Sequence, residues 1–187
     1  KNGIKHGSHI VYYANGARKE ELIYQNGKLH EVESLRSLNG QPLQKGNLTA
    51  GTGELNGYYP NGMLFYKKNY LDGELHDTTL FFSGGKPIFK GSYNHGKAVG
   101  THTFADEDYS VEVILRHSEG EAPLAIRYLS AAAQEVEKGP LKDGVRTGTW
   151  IRTNPYGVPV RKAEFVHGMM QGTYQEFSPS GNDLKIE

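Results

Sequence analysis

The sequence predicts an all-β protein, an elongated antiparallel meander of about eight repeated β-hairpins that form a single-layer twisted sheet. Glycine recurs every 22 to 24 residues along the 187-residue chain, and a period of this length is typical of repeat architectures. In six of the eight repeats a second glycine follows after 11 to 13 residues, where a hairpin would turn. We therefore expect one repeat domain over residues 1–187, with anchor glycines at Gly3, Gly27, Gly51, Gly73, Gly96, Gly120, Gly144 and Gly168.

The first four repeats carry the clearest hairpin signals. In the first repeat, residues 8–13 alternate between two faces, and Asn15-Gly16 predicts a primed turn because both residue types tolerate positive φ. The second repeat has a polar first strand, and its return strand is expected to close on Gly46 and Leu48. Repeats two to four are expected to turn at Asn39-Gly40, Asn61-Gly62 and Gly84-Gly85.

The last four repeats are less regular. The fifth has an acidic turn over 105–108 in place of a glycine turn, and its return strand is expected over 111–117. Residues 129–136 of the sixth repeat have some helical propensity. We interpret them as a hairpin because Tyr128, Gly139 and Leu141 occupy the usual positions of the repeat. The seventh and eighth repeats are expected to turn at Gly157 and Gly181.

The composition narrows the classes of function. With 21 basic and 21 acidic side chains the formal net charge is zero, so we expect no nucleic-acid partner, because phosphate binding needs a basic excess. The absence of cysteine excludes disulfides and thiolate metal sites. No apolar run approaches the roughly 18 residues that span a bilayer, so we expect no direct membrane insertion.

The start of the chain bears on its location. It opens at Lys1-Asn2-Gly3, inside a repeat and without an initiator methionine or an apolar signal core. We interpret this as favouring an extracytoplasmic protein, periplasmic or surface-anchored, whose leader has been removed.

Histidine is the first residue type to consider for metal binding. His6, His30 and His76 share the position three residues after an anchor glycine. Equivalent positions of adjacent repeats are two strands apart, roughly 9.6 Å, whereas zinc ligands lie within about 2.1 Å of the metal. We expect these histidines to be solvated turn residues and not a metal site.

Catalytic residues are equally hard to find. His9 and His102 share a position but lie four repeats apart, so an open meander cannot bring them together. His117 takes the place of a large apolar residue before an anchor, and we expect it to pack in the core. The run 106–108 is interpreted as a solvated acidic turn, since calcium needs six or more patterned oxygen ligands. We therefore expect no enzyme activity and no cofactor.

Four segments carry a resemblance to a known family. Three of them place asparagine and glycine close to a tyrosine, and the fourth has two glycines four residues apart before a tryptophan. They are Tyr24-Gln25-Asn26-Gly27-Lys28, Tyr12-Tyr13-Ala14-Asn15-Gly16, Tyr58-Tyr59-Pro60-Asn61-Gly62 and Gly144-Val145-Arg146-Thr147-Gly148-Thr149-Trp150. At these residues the chain resembles the MORN-repeat superfamily, and more closely its bacterial YwqK-type variant, whose members are described as antitoxins. The resemblance implies a sheet of repeated hairpins and the role of a scaffold or binding partner.

Aromatic side chains are the candidate binding residues. If one sheet face is open, a strip of exposed aromatic rings would offer anchors for a partner. The residues of this predicted strip are Tyr13, Tyr59, Phe65, Phe82, Phe89 and Tyr109.

Three hypotheses about function stay open. The preferred one is a non-enzymatic module that binds another protein, with self-association through unpaired edge strands as a further means of contact. The second is a carbohydrate or cell-envelope binding protein that uses aromatic rings as platforms. The third is a hydrolase assembled at repeats five and six, which would need His117 beside a carboxylate.

Overall fold

The computed structural model describes residues 3–105, 112–118, 123–128, 136–178 and 184–186. In these residues the chain is all-β, and the predicted antiparallel meander of hairpins is confirmed. The chain divides into two compact units, Lys1–Ala98 and Val99–Glu187. The turn of the fifth repeat beyond Ala105, most of the segment 129–136, and the predicted positions Tyr109, Gly120 and Gly181 lie outside the described residues.

The first unit contains seven described strands in two sheets. Strands β1 to β3 form a three-stranded sheet, and β4 to β7 follow one another as an antiparallel meander. The strands are β1 (Gly7–Tyr12), β2 (Arg18–Gln25), β3 (Lys28–Leu35), β4 (Gly53–Tyr58), β5 (Leu64–Leu71), β6 (Glu74–Ser83) and β7 (Lys86–Asn94).

The core of the first unit lies between these two sheets. Apolar side chains of β2 and β3 pack against Leu48 and Leu55 and against the rings of Tyr66 and Tyr70 on β5. Val32 is the most deeply buried of them. Burial raises the pKa of the Tyr70 hydroxyl to about 12 and also raises that of the Tyr66 hydroxyl. In this unit the meander therefore buries its apolar face against a second sheet and not as a single layer.

The anchor glycines form the tight turns of the array. At Asn26-Gly27 the φ angles are 50° and 85°, and the flanking Gln25 and Lys28 are register partners, which defines a two-residue primed turn. Aspartate or histidine takes the asparagine position at four further turns with positive φ at both residues; these are Asp72-Gly73, His95-Gly96, Asp143-Gly144 and His167-Gly168. The period of the sequence is thus the period of its primed turns.

The Asn15-Gly16 turn differs from the primed turn that we predicted. Tyr13 N–H donates to Ala17 O at 2.8 Å, and Gly16 N–H donates to Tyr13 O at 2.9 Å. Only the glycine has positive φ, at 81°, and the strand register shifts beside it. The Asn15 side chain accepts from Ala17 N–H at 3.0 Å instead. This longer turn with a bulge needs only one residue in the left-handed region.

The prediction of a regular return strand in the second repeat is wrong. Residues 42–51 form an irregular segment that hydrogen-bonds with β3 on one side and with β4 on the other. Leu43 N–H donates to Leu35 O at 2.9 Å, and Asn47 N–H donates to Glu54 O at 3.0 Å. A Cβ atom at Gly46 would lie 2.1 Å from Glu54 O, so this close approach requires glycine.

Among the described residues, main-chain hydrogen bonds from five anchor glycines each connect a repeat to the one before it. Gly27 N–H donates to Lys5 O at 2.8 Å, and Gly168 N–H donates to Arg146 O at 2.9 Å. In both cases the acceptor lies two residues after the preceding anchor glycine. The anchor amide therefore fixes the spacing of successive turns without using any side chain.

Two tyrosines make a second connection of the same kind. Tyr13 and Tyr59 each directly follow a first strand, and each hydroxyl donates to a carbonyl 23 residues later, on Arg36 at 2.9 Å and on Phe82 at 2.8 Å. We expect Tyr59→Phe to lower the free energy of unfolding by about 1 kcal/mol, because it leaves the partly buried Phe82 carbonyl without this donor. Urea unfolding followed by circular dichroism measures the loss, and the exposed Tyr12→Phe is the control. Equal stability of the two variants would contradict the connection.

The second unit continues the meander. Its described strands pair in the order β8, β9, β10, β11, β13, β14, β15, β16, and β12 pairs with the end of β11. They are β8 (Lys97–Ala105), which starts just before the unit boundary, β9 (Glu112–His117), β10 (Leu124–Tyr128), β11 (Val136–Lys142), β12 (Val145–Arg146), β13 (Gly148–Thr153), β14 (Pro159–Val166), β15 (Met169–Phe177) and β16 (Leu184–Ile186).

Candidate functional site

The structure places five residues of the predicted aromatic strip in the first unit, and Tyr109 lies outside the described residues. All five are half-buried; they are Tyr13, Tyr59, Phe65, Phe82 and Phe89. Tyr13 and Tyr59 use their hydroxyls within the protein. Ring stacking and hydrogen bonding within the protein explain why aromatic residues occupy these five positions. That they bind a partner stays a prediction.

Four aromatic rings form a row across strands β5 to β7 and the loop after β4. The ring centroids of Tyr59 and Phe65 are 4.7 Å apart, those of Phe65 and Phe81 5.4 Å, and those of Phe81 and Phe89 5.5 Å. Lys68 lies over the Phe81 ring at 5.3 Å, and burial lowers the pKa of its ammonium group. Such cross-strand ring contacts stabilise a sheet, so the row strengthens the first unit.

A buried carboxylate organises the second unit. Glu137 on β11 is 3% exposed, and its two oxygens accept from Arg146 at 2.6 Å and from Arg161 at 2.5 Å. Arg152 is the register partner of both Glu137 and Arg161 on neighbouring strands. The cluster joins β11, β12 and β14 through charge-assisted hydrogen bonds, with Arg152 of β13 lying between Glu137 and Arg161 in the strand register.

Trp150 is packed tightly beside this cluster. Its indole N–H donates to Pro140 O at 3.1 Å, and the Arg146 guanidinium lies 4.5 Å from the centre of the ring. The same guanidinium lies 5.1 Å from the Phe165 ring. Arg146 therefore joins the buried carboxylate to the two aromatic rings and holds the end of the sheet at the last two anchor turns.

An exposed apolar patch surrounds the anchor turn His167-Gly168. Val166 and Met169 are register partners on either side of this turn, and the Val145 Cβ lies 3.5 Å from where a Gly168 Cβ would be. The four residues of the patch are between 42% and 64% exposed; they are Val145, Val166, Met169 and Met170. Exposed apolar groups clustered in this way often mark a binding surface.

Sequence reasoning missed this patch, although a signal was present. The residue directly after an anchor glycine is charged in three repeats of the first unit, at Lys28, Glu74 and Lys97. In the last two repeats the same position holds Val145 and Met169. Ile4 and Thr52 are also uncharged at this position, so the signal lay in apolar residues at two successive repeats, which would have pointed to the patch.

The three histidines that share a position in the repeat have different surroundings. His6 Nδ1 accepts from Asn26 N–H at 3.4 Å, whereas His76 lies against His95 with ring centroids 5.2 Å apart. His30 lines a shallow polar groove of about 410 Å³ at the anchor turns of the first unit. In the described part of the chain, no cluster of three or more histidine or acidic side chains has the geometry of a metal site.

His117 has a histidine neighbour and is only partly buried. Its ring lies 4.4 Å from that of His102, centroid to centroid, and His102 itself is buried. Burial, with a smaller contribution from His102, lowers the pKa of the His117 imidazole. The carboxylate neighbour that the hydrolase hypothesis needs stays a prediction.

Comparison with known proteins gives no family assignment. No protein-family model matches the chain, and no characterised protein matches it in sequence. Among the described residues, no helix is long and apolar enough to cross a membrane.

Proposed function

We propose that the chain is a non-enzymatic protein-interaction module of MORN-like hairpin repeats, for which an antitoxin-like role is one form. The apolar patch around His167-Gly168 carries this proposal. Two of its four side chains are methionines, whose flexible thioethers adapt to different partners. Val145 of the patch directly precedes Arg146, which binds the buried Glu137 and lies over Trp150, so this part of the patch is attached to a well-held cluster.

A photo-crosslinking experiment tests the proposal. A benzophenone amino acid replaces Met169 in one variant and Thr173 in the control, since both are exposed residues of β15. We expect cross-linking in cells to one protein from position 169 and none to that protein from position 173.

The same patch can then be tested with the purified partner. We expect Met169→Lys to weaken binding at least about ten-fold, because it places a charge in an apolar contact, whereas Thr173→Lys leaves binding unchanged. Isothermal titration calorimetry gives the dissociation constants. Equal affinities of the two variants would exclude the patch as the binding surface.

Carbohydrate binding is a second candidate function, favoured by one observation. Tyr156, at the turn between β13 and β14, is 90% exposed and offers a free ring face of the kind on which sugars stack. Glycan-array binding that is lost in Tyr156→Ala and kept in Met169→Lys would support this function over the first.

Self-association is a further proposal about partners. In the described residues β1 is an edge strand, with only β2 beside it. Such an edge can pair with an extended segment of another chain. A Val11→Pro variant that stays monomeric at concentrations where the unmodified chain forms dimers would support edge pairing.

A further inference from the structure

The hairpin of β8 and β9 brings two histidines together on one face. Gly100 pairs with His117 and His102 pairs with Leu115, so the two histidines are diagonal neighbours across the ladder. Their ring centroids are 4.4 Å apart with an interplanar angle of 55°. His102 is 3% exposed.

The first hairpin of the chain has the same register and a different pair. Gly7 pairs with Tyr24 and His9 with Leu22, and the His9 and Tyr24 rings meet edge to face at 5.2 Å. Tyr24 and the residue that takes its place in the fifth repeat, His117, both lie three residues before an anchor glycine. The fifth repeat has therefore replaced a packing ring by a second imidazole at an otherwise equivalent contact.

The replacement leaves a shielded nitrogen. His117 Nε2 is buried and has no hydrogen-bond partner among the described residues. A buried polar atom without a partner is costly, and a bound ion would supply the contact that it lacks. A tyrosine at this position, as in the first repeat, would have left no such nitrogen.

The distance between the rings suits two ligands of one metal ion. With metal–nitrogen bonds of about 2.1 Å, each imidazole centre lies roughly 3.2 Å from the metal, so ligands at right angles have centroids roughly 4.5 Å apart. Right-angled nitrogen ligands are typical of the tetragonal coordination of Cu²⁺ and Ni²⁺. We propose that His102 and His117 form a two-histidine site for a divalent transition metal ion, with water completing the coordination. The site uses no residue of the apolar patch, so the two proposals stand independently.

Another histidine pair provides the matched control. His95 lies against His76, but its Nδ1 is already 3.3 Å from the Glu74 carboxylate, which also binds Lys28 at 3.1 Å. His95 is thus engaged in an ion-pair network and its side chain is half-exposed, whereas His76 Nδ1 is buried without a hydrogen-bond partner among the described residues. His95→Gln therefore removes a histidine without touching the proposed site.

Copper titration of the untagged protein tests the proposal. We expect one Cu²⁺ equivalent whose electron paramagnetic resonance spectrum shows two equatorial nitrogens. His117→Tyr, which restores the ring contact of the first repeat, should weaken binding about ten-fold or more, and His102→Phe should do the same. His95→Gln should leave both affinity and spectrum unchanged.

A gain-of-function variant completes the test. Tyr24→His gives the first hairpin the same two ring types in the same register, and we expect it to bind a second equivalent of Cu²⁺. Circular dichroism confirms the fold of each variant, and His117→Gln serves if His117→Tyr does not fold. Unchanged copper binding by a folded His117 variant, loss of binding in His95→Gln, or no second equivalent in folded Tyr24→His would each overturn the proposal.

Discussion

Glu137→Gln is expected to lower the free energy of unfolding of the second unit by about 3 kcal/mol. The carboxylate binds Arg146 and Arg161 at once, and glutamine can accept from only one of them while bringing a donor towards the other. The side chains of the two arginines are 27% and 33% exposed, so water relieves part of the loss. We therefore expect a value at the low end of those measured for broken buried ion pairs.

The single tryptophan allows this loss of unfolding free energy to be measured in the second unit itself. Trp150 contacts Arg146, so its fluorescence during urea unfolding reports on the cluster. Glu176→Gln is the control, because Glu176 faces Arg161 from β15 but is exposed, and exposed pairs contribute at most about 1 kcal/mol. A loss for Glu137→Gln no greater than that of the control would show that the cluster is not a main source of stability.

Gly139→Ala is expected to be the second most damaging change, at about 3 kcal/mol. An added Cβ would lie 2.4 Å from Cγ and 2.5 Å from Cδ1 of Trp150, the part of the indole nearest its own backbone. The ring cannot simply turn away, because it is held by Pro140 and by Arg146. The backbone of Gly139 does not have positive φ, so the steric contact is the only obstacle to alanine.

The first unit offers a matched comparison. Gly57→Ala would bring a Cβ to 2.2 Å from Cζ of Tyr66, the far end of a ring that can tilt away as a whole. We expect a smaller loss there, about 1 to 2 kcal/mol. Denaturation of both variants, followed by Trp150 fluorescence for the second unit and by circular dichroism for the first, measures the difference. A larger loss for Gly57→Ala would contradict this account of how the rings are held.

The architecture could be predicted from the sequence because a single residue type, glycine, marks each repeat. Each anchor position that the structure describes has positive φ, and glycine is the residue that adopts it at no steric cost. The type of each turn could not be predicted, because Asn15-Gly16 and Asn26-Gly27 have the same two-residue sequence. Which pair forms the two-residue turn depends on the strand register, and that is decided by packing several residues away.

Other features depended on contacts between distant residues. The irregular segment 42–51 follows from the close approach of Gly46 to Glu54, which no local pattern announces. The meeting of His102 and His117 follows from hairpin register, which could have been derived by pairing Gly100 with the residue before the next anchor. Considered one at a time, each histidine looked like an isolated packing residue.

The backbone hydrogen bonds of the anchor glycines have a consequence for how such a chain can grow. Among the described residues these amides reach the preceding repeat, so the bonds link nearest neighbours, whereas the core of the first unit also joins β2 to β5, two repeats apart. Tandem duplication of one block of 23 or 24 residues therefore adds a complete repeat and preserves these main-chain links. A single inserted residue inside a block would break one link and leave the blocks beyond it in register with one another.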